Sequence, residues 1–120
     1  MSWQTIIDKE HNEQLEDNWR KQLPLKGTPR EQDFPPVCKL FIPWSSGTWL
    51  LTEKDPDSSL CFGLCDLGMG CPEMGYVDLE ELYSVTGPGG LKVERDLHWD
   101  ADKTLSEYSA IAMREGHLQA

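Results

Sequence analysis

Short apolar runs separated by turn-forming residues dominate the middle of the chain. "KLFIPW" (39–44), "TWLLTE" (48–53) and "LCFGLCDL" (60–67) are rich in aliphatic and aromatic side chains, with "SSG" and "KDPDSS" between them. Runs and turns of this composition predict strands, and connections this short make sequential strands antiparallel neighbours in a meander. "EMGYVD" (73–78) predicts a further strand after "GMGCP", whose glycines permit positive φ and whose proline interrupts pairing. "TGPGG" then turns the chain into "LKVERDLHW" (91–99), where Leu91, Val93, Arg95 and Leu97 alternate.

The flanks have helical spacing. Near the N-terminus, Ile7, His11, Leu15 and Trp19 recur every fourth residue, a single narrow stripe on an otherwise polar helix, with Thr5 followed by Asp8 as its acidic first turn. Pro24, Gly27, Pro29, Pro35 and Pro36 end that helix and make an extended linker. So narrow a stripe predicts a loosely docked arm. Asp78 and Glu81 have the spacing of an N-cap and its partner for a short middle helix through Leu82 and Tyr83. Thr104 and Glu107 form a capping-box pattern for a C-terminal helix, lined by Leu105, Tyr108, Ile111 and Ala112 and closed by Gly116. The expected fold is α+β: an antiparallel β-meander sheet of about four to six strands with these three helices packed on it. Residues 1–36 are expected to form the helix and Pro-rich arm, and 37–120 a single domain.

Composition narrows the setting. A chain of 120 residues fits one domain and supports one core without staples. No run reaches the about 18 apolar residues that a membrane helix needs. The start lacks a basic segment followed by an apolar one, so no export signal is expected. A cytoplasmic location and four reduced thiols follow as expectations. The net charge of −10 is spread along the chain with no Lys/Arg cluster, which argues against direct nucleic-acid binding; such a balance ordinarily serves solubility, and a basic partner, or a protein whose DNA groove is blocked, is the sharper alternative.

The candidate chemistry lies in "CFGLCDLGMGCPEMGYVDL" (61–79). Cys61, Cys65 and Cys71, with Cys38 or His98, have enough ligands for zinc. However, Cys61 and Cys65 share one strand face about 13 Å apart, too far to chelate one ion. Buried thiols acting as small hydrophobes are expected instead, with no metal and no cofactor. The glycines do not satisfy a phosphate-loop pattern, because Glu73 stands where the third glycine belongs. His11, His98 and His117 flank no nucleophile in sequence. Asp66, Glu73 and His98 are the residues a small enzyme or metal-dependent module would need to bring together. The competing expectation is that the Asp66 carboxylate accepts hydrogen bonds from the amides of "LGMG". Trp44 and Trp49 bracket the "SSG" turn, either as an exposed platform or packed over the core.

The segment from "KLFIPWSSGTWLL" through "CFGLCDLGMGCPEMGYVDLEEL", then "GPGGLKVERDLHW" and "LSEYS", resembles a bacterial family catalogued as domain of unknown function 2958, over residues 37–115. The resemblance supplies no catalytic residues. It implies an accessory role on plasmids, phages or integrative elements, and it carries Cys65 but not the other three cysteines. The expected function is therefore that of a non-enzymatic acidic interaction protein binding a host or element protein, with an anti-defence or DNA-mimic role as its sharper form. Mimicry would need a row of carboxylates matching DNA phosphates, drawn from Glu53, Asp55, Asp57, Asp66, Glu94, Asp96, Asp100 and Asp102. Trp44, Trp49, Glu73 and His98 complete the interaction candidates.

Overall fold

The computed structural model describes residues 3–120. One antiparallel sheet holds β1 (Cys38–Phe41), β2 (Thr48–Lys54), β3 (Leu60–Asp66), β4 (Glu73–Asp78) and β5 (Glu94–Arg95), in the order β4-β3-β2-β1-β5. The helices are α1 (Lys9–Gln22), α2 (Leu79–Ser84) and α3 (Leu105–Glu115). The chain is α+β, a meander with helices on both faces.

Strand alternation creates two cores. Leu40, Trp49, Leu51 and Cys61 point to one face, which Ile6, Ile7, Leu15, Leu79, Leu82 and Val93 cover. Leu50 and Leu64 point to the other, under Leu105, Tyr108 and Ala112 of α3. In α3, the Glu107 carboxylate accepts from the Thr104 backbone N–H at 2.9 Å, and Gly116 ends the helix at φ 81°. The linker fixes the helix start as well: Leu105 N donates to Phe34 O at 2.9 Å, and Ser106 N to Asp33 Oδ1 at 3.1 Å.

The N-terminal segment is part of the same core. Leu15, Ile6 and Ile7 are buried, so the segment docks on the sheet more firmly than its narrow stripe suggests. Much of the attachment is polar. The ladder between β2 and β3 slips at Thr52, a β-bulge, and the freed Thr52 carbonyl accepts from Asn18 Nδ2 at 2.9 Å. Gln22 exchanges two hydrogen bonds with the backbone of Gln32, at 2.7 and 2.8 Å. Lys54 is only 1% exposed; its ammonium donates to the carbonyls of Asp55 and Ser58, faces Glu16 at 3.1 Å and sits over the Trp3 ring. Asp8 caps α1 by accepting from His11 N at 2.8 Å, so it stands before the helix rather than within its first turn.

The last strand is shorter than its alternation predicts. Only Glu94 and Arg95 pair with β1, because Asp96 turns the chain away by accepting from His98 N at 3.2 Å. Val93 is buried, while Leu91 and Leu97 are exposed.

Candidate functional site

Gly63 on β3 faces Gly75 on β4 across the ladder, on the side of the sheet that carries Trp49 and Leu51. A Cβ at Gly63 would lie 2.0 Å from Leu50 O, so the close approach of the two backbones requires glycine there. At Gly75 a Cβ would meet nothing within 4 Å. The bare pair is the floor of a groove of about 400 Å³, walled by Trp49, Leu51, Cys65 and Val77, by Leu82 of α2, and by Leu67, Met69 and Cys71 of the β3–β4 loop. Glu73 is the one charged lining residue, and no Lys or Arg is among them.

The loop beside the groove is built on Asp66. The buried Asp66 carboxylate accepts from Gly68 N through Oδ1 and from Leu118 N through Oδ2, both at 2.8 Å, tying the loop and the C-terminal segment together. Gly68 and Gly70 follow at φ 81° and 79°, which glycine adopts without strain. The loop then exposes its apolar tip, with Met69 at 74% exposure. Beside it β4 is an edge strand with no strand on its outer side among the described residues, and Met74 and Tyr76 are exposed on it. Alternate amides and carbonyls of β4 therefore point away from the sheet.

The thiols divide by depth. Cys38 and Cys61 are buried; burial pushes the Cys38 thiol up to about 12 and raises Cys61 further. Cys65 is half-buried, raised first by burial and then by the Asp66 and Glu73 carboxylates. Cys71 is exposed, contrary to the expectation of buried thiols, because the loop carries it past the end of β3. No group of three or more His, Cys, Asp or Glu side chains is placed to hold a metal ion among the described residues.

The other candidates are scattered. Trp49 and Glu73 reach the groove, whereas Trp44 packs on Gly87, where a Cβ would stand 2.3 Å from its ring. Glu73 is on one edge of the sheet and His98 lies just past the strand at the opposite edge, four inter-strand spacings or roughly 19 Å away, so these two and Asp66 share no pocket. Asp55 and Asp57 occupy the β2–β3 turn, one β3 length or roughly 20 Å from Asp66. Glu94 is exposed on β5, and Asp96 faces Lys39 at 3.9 Å. Glu53 is buried on the opposite face from the groove, and burial raises its carboxyl. Burial of Glu53 and Asp66 withdraws two of the eight carboxylates from any surface row.

The sequence reading missed Gly63, Gly75, Leu82, Met69 and Met74. The available signal was a glycine inside each of two adjacent strands, a pattern that marks close backbone approach.

Fold and groove together define a small α+β protein with an apolar groove beside the β4 edge of its sheet. The chain belongs to the family described as Protein of unknown function (DUF2958), whose family model matches residues 6–119 and so takes in α1 and the linker as well as the sheet. No curated protein and no solved structure matches it. No helix among the described residues is long and apolar enough to cross a membrane.

Proposed function

We propose that this chain is a non-enzymatic interaction protein that adds an extended, basic segment of another protein to the β4 edge. The observation that carries this reading is the apolar groove over Gly63 and Gly75, open beside the outer edge of β4. An added strand takes its affinity from main-chain hydrogen bonds and its specificity from pockets that receive alternate side chains. Here an apolar side chain of the partner fills the space left by Gly75.

Charge selects the kind of partner. β4 begins at Glu73 and ends at Asp78, and the chain carries −10 overall. A second copy pairing antiparallel about the centre of β4 would set Glu73 against its own Asp78, which like-charge repulsion disfavours. A segment with Lys or Arg flanking an apolar centre fits both the groove and the field. On the family resemblance, the setting is a mobile element and the partner a host or element protein. No observation favours the enzyme alternative, because His98 lies at the opposite edge of the sheet from Glu73 and Asp66 is taken up by two backbone amides. A DNA-mimic form would have to do without Glu53 and Asp66, which are buried.

Selection from a random peptide library tests the reading. Enriched peptides are expected to alternate an apolar residue with Lys or Arg, to bind more weakly as salt rises, and to lose binding to Gly75→Leu. A Cβ at Gly75 meets nothing within 4 Å, so the substitution is expected to leave the fold intact. Peptides that bind Gly75→Leu as well as the original chain, or no enrichment at all, would overturn it.

A further inference from the structure

On the face opposite the groove, a pocket of about 330 Å³ opens between β2, β3, the linker and the start of α3. Its walls include Phe34, Phe62, Met74 and Leu105, and its polar groups come from Gln22, Gln32, Ser106 and the carboxylates of Glu31, Asp33 and Glu53. Asp33 is committed to α3, accepting from both the backbone and the hydroxyl of Ser106. Glu53 is different. It is 4% exposed, its Oε2 accepts from Thr52 Oγ1 at 3.2 Å, and among the described residues no cation lies within ion-pair distance and Oε1 has no donor. The nearest cation to influence it is Lys26, whose ammonium is already held by the Tyr76 hydroxyl at 2.8 Å and the Trp19 ring at 4.8 Å.

Glu53 Oε1, without a donor among the described residues, is not sealed from solvent, so this carboxylate can still take a cation or further donors from the pocket side. Aromatic and aliphatic walls ending at a carboxylate suit a cation on an apolar stem, the stem lying against the rings and the charge reaching the acid. The volume is at the small end of the range for ligand pockets, about 300–1,000 Å³. We propose that this pocket binds a guanidinium or ammonium group carried on a short aliphatic chain, with Glu53 as its anionic anchor. The inference does not depend on the β4 edge. Its anchor lies on β2 and on the other face, so Gly75→Leu leaves it in place and the two readings fail separately.

Burial raises the Glu53 carboxyl, with the Glu31 charge adding to the rise and the Thr52 hydroxyl and Lys26 opposing it. Cation binding needs the ionised form, so affinity should grow as pH rises through the elevated Glu53 value and level off above it. Glu31 and Asp33 add negative charge at the same pocket, and Lys26 opposes it. The Glu53→Gln variant separates the anchor from these three.

The test is a nuclear magnetic resonance titration with N-acetyl-arginine methylamide and with agmatine. The neutral N-acetyl-citrulline methylamide serves as control. Saturable shifts at Phe62, Glu53 and Ser106 are expected from the cationic probes and not from the citrulline derivative. Glu53→Gln should weaken binding about tenfold or more and flatten its pH dependence. Tighter binding of the arginine derivative makes the source a partner's side chain; tighter binding of agmatine makes it a free amine. The proposal is overturned by the absence of saturation up to roughly 10 mM of either cation. It is equally overturned by an affinity that Glu53→Gln leaves unchanged or, should that variant not fold, by a pH-independent affinity in the original chain.

Discussion

Burial alone sorts four chemically identical cysteines into different reactivities. Only the thiolate is nucleophilic, so Cys38, pushed up to about 12 inside the core, and Cys61 beside it are doubly protected by depth and by protonation. Cys71 is exposed on the loop, and Cys65 is half-buried beneath it. Alkylation at mildly alkaline pH should therefore modify Cys71 quickly and Cys65 slowly, while Cys38 and Cys61 react only on unfolding. Peptide mapping of the labelled sites checks the order. Early labelling of Cys61 would show that the core at β3 is open. The same depth argument separates the carboxylates: Asp66 is spent on two amides, whereas Glu53 keeps an oxygen without a donor among the described residues.

At the scale of elements, the sheet and α1 depend on each other through the bulge at Thr52. A bulge leaves a carbonyl outside the ladder, and Asn18 supplies its missing donor from the helix. Asn18→Leu should cost about 1–3 kcal/mol, because a buried acceptor loses its partner. Chemical denaturation checks this, and a variant as stable as the original would mean that the helix contributes no anchoring there. This contact also explains which parts of the fold were legible in the sequence. β4 and α3 could be read directly, since the run "EMGYVD" after the "GMGCP" breaker and the Thr104–Glu107 cap are local patterns. The firm seat of α1 could not, because Asn18 and Gln22 are buried through hydrogen bonds to residues far along the chain, and a polar side chain gives no sign of such a partner. β5 was overread for the opposite reason. Leu91 and Leu97 keep the strand alternation, but Asp96 turns the backbone away before Leu97 can pair. Asp66's role at the turn was readable because an aspartate ahead of "LGMG" has its amide partner two residues on. The groove was not, since its defining feature is the absence of side chains at Gly63 and Gly75.

At the scale of the whole molecule, the distribution of helices decides where a partner can bind. α3 covers one face, α1 and α2 cover most of the other, and β5 closes the far edge with two residues, which leaves β4 and the groove beside it. An edge of this length with exposed Met74 and Tyr76 and no proline is an aggregation hazard in an isolated protein. The acids at both ends of β4 and the charge of −10 oppose self-pairing while favouring a basic strand. The most direct measurement is amide hydrogen exchange with and without a selected Lys- or Arg-flanked apolar peptide. The outward-pointing amides of β4, within residues 73–78, should become protected on binding, with β1 and α3 unchanged. Protection confined to another surface, or binding that leaves the β4 amides exchanging as before, would contradict the account.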